Sequence, residues 1–149
     1  MRVVIQRVSC ASVLAGAETL GSIERGLAIL VGVRHGDQES NADNLAQKAY
    51  SLRVFEDEAG KMNLSAQDAA AAFLVVSQFT LYANTSRGRR PSFIEAAGPE
   101  LGERLYNRFV ARMRELGGHV ETGRFGARMQ LELVNDGPVT IIIDSDSQA

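Results

Sequence analysis

"AAFLVVSQFTL", residues 71 to 81, starts as a core strand and ends in hydrogen-bonding side chains. Phe73-Leu74-Val75-Val76 is a short apolar run of strand length, the pattern of a strand covered on both faces. Ser77, Gln78 and Thr80 then interrupt it, and "YANTSRGRRPSF" (82 to 93) follows with Arg87, Arg89 and Arg90 just before Pro91. A core strand that delivers polar groups into a cationic loop is either a decorated turn or the floor and rim of a site for an anionic substrate.

Upstream, "LAILVGVRH" (27 to 35) is a second continuous apolar run and reads as another buried strand. Val3, Ile5 and Val8, with polar residues intervening, suggest a further strand, "ASVL" (11 to 14) continues it, and Gly16 and Gly21 mark turns. Ser40, three residues before Asp43, makes a capping-box-like start for a helix of about a dozen residues. Leu45, Ala49 and Leu52 share one face of that helix, and "DEAGKMN" (57 to 63) is a turn around Gly60. Downstream, Pro99 stands where the first turn of a helix tolerates it. Leu101, Leu105, Phe109, Met113 and Leu116 then recur at helical spacing, Arg104, Arg108, Arg112 and Arg114 take the other faces, and Gly117-Gly118 ends the helix. Residues 119–123, 128–134 and 139–144 read as strands, the last two joined through "NDGP" (135 to 138). This order predicts one α+β domain over residues 1–149, largely antiparallel sheet with two amphipathic helices packed on it and a frayed end at 145–149.

With 149 residues, 45% of them apolar, the chain can bury most of the surface its unfolded form exposes. "MRVVIQRVSC" lacks the long apolar core of a secretory signal, and nowhere do eighteen apolar residues run together. The single cysteine, Cys10, reads as a small packed residue and implies a reducing, cytoplasmic setting. Net charge is -2, unevenly distributed: nine arginines stand against five glutamates from 87 to 128, whereas 129–149 has four acids and no base. Such segregation suits an anion-facing surface, and equally a basic helix balanced by an acidic strand.

Several chemistries lack support. Only two histidines occur, His35 before Gly36 and His119 after a glycine pair, both in turn contexts. There is no Gly-x-Ser-x-Gly elbow, no clustered set of Cys, His and acids at zinc spacing, and no glycine-rich phosphate loop. No cofactor or metal is expected. An enzyme built from this sequence works with hydroxyls, amides and main-chain dipoles, which is adequate for breaking an already activated bond. An aminoacyl ester of a ribose is such a bond, and one well-placed oxyanion donor contributes about 3–4 kcal/mol to its transition state.

"SQFTL" (77 to 81) and "GRRPSF" (88 to 93), together with "VNDGPVT" (134 to 140), resemble the D-aminoacyl-tRNA deacylases. The resemblance extends from "IQRV" (5 to 8) through "FEDEAGKMNLS" (55 to 65) to the last strand, so it covers nearly the whole chain. It implies an open-barrel-like core and a homodimeric cytoplasmic hydrolase that removes a D-amino acid, or glycine, from charged tRNA. DNA, membrane and cofactor are not among the implied partners. The implied active site lies between subunits: Ser77, Gln78, Phe79 and Thr80 from one chain, and Gly137 and Pro138 in cis form, flanked by Val139 and Thr140, from the other. Arg7 resembles the residue that braces the Gly-Pro loop, and Phe125 and Met129 resemble pocket-lining positions.

Each motif also has a plainer interpretation. Thr80 alone is an ordinary strand-end hydroxyl, and within the resemblance it is either nucleophile or orienting partner. No base adjacent in sequence would activate it, which favours orientation, with the substrate's own 2'-hydroxyl activating water. "NDGP" alone is a hairpin turn with a trans bond; within the resemblance it is a rigid main-chain filter that rejects L-amino acids by clash. Arg87, Arg89 and Arg90 would meet the RNA backbone. A dimeric RNA-binding module without catalysis, and a small esterase on a non-RNA acyl substrate, remain the competing interpretations.

Overall fold

The computed structural model describes residues 1–146. Its strands are β1 (Arg2–Ala15), β2 (Glu18–Ile23), β3 (Gly26–Gly32), β4 (Phe55–Glu56), β5 (Met62–Leu64), β6 (Ala72–Ser77), β7 (Val120–Thr122) and β8 (Gln130–Asp144). Two helices, α1 (Glu39–Ser51) and α2 (Pro99–Glu115), and a 3-10 turn over Phe79–Tyr82 complete it. The main sheet runs β2-β1-β3-β6-β7, with β8 on the far edge of β1 and β4-β5 as a separate hairpin. The β1 pairings with β2, β3 and β8 are antiparallel, as expected, but β3-β6 and β6-β7 are parallel. Parallel neighbours need long crossovers, which α1 and α2 lie within.

Alternation along the central strands builds two cores. Phe73 and Val75 of β6, with Ile29 and Val31 of β3, face the helices and join Leu45, Leu105, Phe109 and Met113. Leu74 and Val76 face the other way and pack with Val8, Val13 and Ile23. This second core is the inside of a curl: a Cβ at Gly21 in β2 would lie 2.8 Å from the carbonyl oxygen of Thr122 in β7, so the two ends of the sheet approach each other. The result is a nearly closed, barrel-like core, as the resemblance implies, carrying two helices on one side.

The helix starts and stops follow the sequence in kind. Pro99 opens α2, Glu100 lies in its first turn and Arg112 and Arg114 in its last, the charge order that suits the helix dipole. Gly117, with φ of 104°, turns the chain away, and the Gly118 amide donates to the Met113 carbonyl at 3.0 Å. α1 begins slightly earlier than the Ser40–Asp43 pattern suggests, because Asn41 accepts the Gln38 amide at 2.7 Å.

Three expectations are corrected. The strand at 71–81 ends at Ser77, and Phe79–Tyr82 forms the 3-10 turn instead. Residues 130–144 form one continuous strand in place of two joined by a hairpin. Cys10 is exposed, because the β1-β8 register shifts between Val8 and Cys10 and leaves Ser9 and Cys10 both outward. Of the expected frayed end, residues 147–149 lie outside the described residues, whereas Ser145 donates its amide to the Met1 carbonyl at 2.9 Å.

Candidate active site

β6 carries the first motif to the edge of a cavity. Ser77 pairs with Val31, and the Gln78 amide donates to the Val31 carbonyl at 2.8 Å, so the chain stays in the sheet until that point. There it turns: the Leu81 amide reaches back to the Gln78 carbonyl at 3.3 Å and the Ala83 amide to the Thr80 carbonyl at 3.1 Å. Gly32 of β3 makes room for this corner, since a Cβ there would sit 3.0 Å from Leu81 Cβ and 3.2 Å from the Gln78 carbonyl. Among the described residues the amides of Phe79 and Thr80 have no acceptor, as is usual for the first residues of a helical turn. The Gln78 side-chain amide donates to the Thr80 hydroxyl. Phe79 is 56% exposed and meets Phe93 edge-on, with ring centroids 5.2 Å apart.

The cavity beside this corner has a volume of about 610 Å³ and is mainly apolar. Ser77, Gln78 and Phe79 line one side, Phe93 and Ala96 another, and Phe125 and Met129 a third. Phe125 fits because α2 carries Gly102 at that point: a Cβ there would be 3.3 Å from the ring. Its other neighbour is Tyr106, whose buried hydroxyl donates to the Val75 carbonyl at 2.7 Å and whose ionisation burial pushes up to about 12. Met129 folds over Gly123, where a Cβ would lie 2.6 Å from its sulfur. Thr80 is not in the lining and is exposed at the corner.

The second motif lies elsewhere in the same chain. The Gly137–Pro138 bond is cis and Gly137 has φ of 145°, a conformation that only glycine adopts easily. The turn projects from β8 opposite Arg7 of β1, which is only 6% exposed. Arg7 Nε donates to the Asp136 carbonyl at 2.9 Å and Nη1 to the Val54 carbonyl at 2.8 Å, while Nη2 lies 3.8 Å from Glu56 Oε1. Gly137, Pro138, Val139, Thr140 and Arg7 do not line the cavity. The sequence motifs therefore lie in two places within the chain, and not in one.

The arginine loop is closed at its base by mutual amide-carbonyl bonds between Asn84 and Ser92, at 2.8 and 2.9 Å. Arg87, Arg89 and Arg90 at its tip are exposed and form no ion pair among the described residues. Three of the four α2 arginines contrast with them, while Arg104 is exposed without an ion pair among the described residues. Arg108 pairs with Asp43 and Glu115, Arg112 with Glu115, and Arg114 donates to the Val120 carbonyl. Sequence reading missed Phe93, whose signal is its place at the end of the arginine motif, and Asn135, the first residue of "NDGP".

The profile of the family described as D-Tyr-tRNA(Tyr) deacylase matches residues 4–144. A D-aminoacyl-tRNA deacylase of Symbiobacterium thermophilum is 60% identical over 98% of this chain and 97% of its own length, and one of Halalkalibacterium halodurans is 52% identical over 97% and 99%. Among solved structures, one described as a c-Myc DNA unwinding element binding protein superposes with a TM-score of 0.91 at 39% identity, covering 97% of this chain and 98% of that one. Another, described as a probable eukaryotic D-amino acid tRNA deacylase, shares the fold with a TM-score of 0.81 at 17% identity over 95% and 97%. Similarity over nearly the full length makes this barrel-like α+β domain a hydrolase acting on ester bonds. The chain belongs to the D-Tyr-tRNA(Tyr) deacylase family.

Proposed function

We propose that the protein is a cytoplasmic proofreading enzyme that hydrolyses the ester between a D-amino acid and the terminal ribose of tRNA, and that its active site is completed by a second copy of the chain. One observation carries the second part: the cavity lined by Ser77, Gln78 and Phe79 lacks the Gly137–Pro138 turn of its own protomer. β8, which bears that turn, is an edge strand with Val134 and Ile142 exposed, a surface suited to pairing with its twin.

In this reading the aminoacyl ester lies against the Ser77–Thr80 corner. Water adds to the ester carbonyl carbon, and the free amides of Phe79 and Thr80 stabilise the oxyanion that forms. The carbon–ribose oxygen bond then breaks, the ribose oxygen takes a proton, and the amino acid leaves as its carboxylate. The substrate's 2'-hydroxyl activates the water; Thr80, held by Gln78, orients it and is not a nucleophile. Phe125 and Met129 cover the apolar part of the substrate, and Arg87, Arg89 and Arg90 meet phosphates.

Selectivity comes from the partner's turn. Its fixed carbonyl oxygens accept from the ammonium of a D-amino acid and clash with the side chain of an L-isomer. Fixed backbone is the stronger device here, because an apolar pocket discriminates by only about 1–3 kcal/mol per methylene. Glycine has no Cβ and passes the filter, so glycyl-tRNA(Ala) is also a substrate.

Incubating the protein with D-tyrosyl- and L-tyrosyl-tRNA and following ester loss tests this directly. Release from the D form alone is expected; equal release from both would remove the chiral filter, and RNA binding without release would leave a binding module. A tRNA ending in 2'-deoxyadenosine and charged on the 3' oxygen is expected to be a poor substrate. Its rapid hydrolysis would rule out the role given to the 2'-hydroxyl.

A further inference from the structure

The Gly137–Pro138 turn has a second anchor besides Arg7. Along β1 and β8 the register steps from Gln6↔Thr140 to Val8↔Asn135, so residues 136–139 bulge out opposite Arg7 alone. Main-chain groups that leave a ladder need other partners, or they are free to move. Arg7 holds the entry of the bulge through the Asp136 carbonyl. Asn135 holds the exit: its Oδ1 accepts the Val139 amide at 2.7 Å, and its Nδ2 lies 3.1 Å from the Val139 carbonyl. The same Nδ2 is 3.2 Å from Gln6 Oε1 and 3.1 Å from Thr140 Oγ1.

These contacts fix which way the amide faces. Its oxygen must meet the one donor, Val139 N–H, while its nitrogen faces three oxygens. A carboxylate of the same shape would keep the first contact but repel the Val139 carbonyl oxygen, while the Thr140 hydroxyl and the Gln6 amide would have to turn round to donate to it.

From this we infer that Asn135 is a positioning residue: it sets where the main chain of Gly137 and Pro138 stands, and through it the discrimination between D- and L-aminoacyl esters. The inference rests on the proposed function for its substrate, and on the hydrogen bonds alone for the anchoring.

Asn135→Asp and Asn135→Ala test it. The ratio of single-turnover rates on D- and L-tyrosyl-tRNA should fall about 10- to 100-fold, the scale of an ångström-sized misplacement. The KM for tRNA should stay within about twofold, because the arginine loop is untouched. A role confined to stability would lower both rates together and leave their ratio alone. An unchanged ratio in folded Asn135→Asp overturns the inference. Should Asn135→Ala fail to fold, Asn135→Asp, of equal size, carries the test, and Gln6→Ala, which removes one steering acceptor, should move the ratio in the same direction by a smaller factor. If the wild-type protein itself shows no D-over-L preference, the proposed function falls and anchoring is judged separately. Amide exchange at Val139 should then be at least about tenfold faster in Asn135→Ala, or in Asn135→Leu should the alanine variant not fold, since either removes the acceptor of that amide; an unchanged rate overturns it.

Discussion

The Ser77–Tyr82 corner and the Gly137–Pro138 turn differ in how their main chains are occupied. At the corner the amides of Phe79 and Thr80 have no partner among the described residues, and the Phe79 ring stands half exposed beside an open apolar cavity. At the turn, a buried guanidinium and a side-chain amide take up the main-chain groups on either side of the glycine and proline. Unoccupied donors can meet a charge that develops during a reaction, whereas a turn braced on both sides makes a rigid gauge. Under the proposed function, the contrast places chemistry and selection in separate, differently built pieces of one chain.

The sharpest way to break this comparison is to disturb the gauge. A Cβ at Gly137 would lie 2.8 Å from Val139 Cγ2, 2.9 Å from Val139 N and 3.3 Å from Arg7 Nη2, on a backbone that L-residues rarely adopt. Gly137→Ala should reduce hydrolysis of D-tyrosyl-tRNA about 100-fold or more with tRNA affinity retained; a near-normal rate would mean the turn does not face substrate. Thr80→Ala should cost less, about tenfold, since removal of an orienting group leaves the oxyanion donors in place. Complete loss in a folded, tRNA-binding variant would instead make Thr80 the nucleophile.

Both motifs were legible in the sequence, and the gaps in its reading of the fold have physical causes. The polar interruption of an apolar run at Ser77 and the Gly-Pro pair at 137–138 both stood out. The end of β6 did not, because Phe79 and Leu81 continue the alternation of a strand; only Gly32, on the neighbouring strand, signals that a corner packs there. The exposure of Cys10 depends on a register shift that pairing partners decide and local pattern does not. Asn135 looked like a turn residue because its four contacts are made to residues whose positions follow from the fold of β8 against β1.

Two milder tests sharpen the contrast from its edges. Replacing Arg87, Arg89 and Arg90 together with alanine should weaken tRNA binding and lower the salt slope of log K by about 1 for each phosphate left without its arginine. Arg112→Ala, on a side chain already paired with Glu115, should change that slope much less. Beneath the cavity, Tyr106→Phe removes the bond to the Val75 carbonyl and should cost about 1 kcal/mol of stability. The native hydroxyl keeps its proton up to about 12, above an unfolded tyrosine near 10. The native state therefore holds more protons in that window, its stability is whole below the unfolded value, and it declines as pH rises between the two. Thermal melts should show a shallower alkaline decline in Tyr106→Phe; an identical decline would exclude Tyr106 as its source.

β1 has consequences for how the chain is made. It bonds to β2 and β3 on one edge, both of which follow closely in sequence, but its other edge waits for β8, the last strand. A ribosome that has delivered β1 through β7 holds a sheet whose longest strand still shows a row of unused amides and carbonyls to any passing chain. Closing that edge demands contacts between residues more than a hundred positions apart, the kind of pairing that slows folding. The interval between emergence of β7 and of β8 is thus when a nascent copy is most open to capture by a wrong partner.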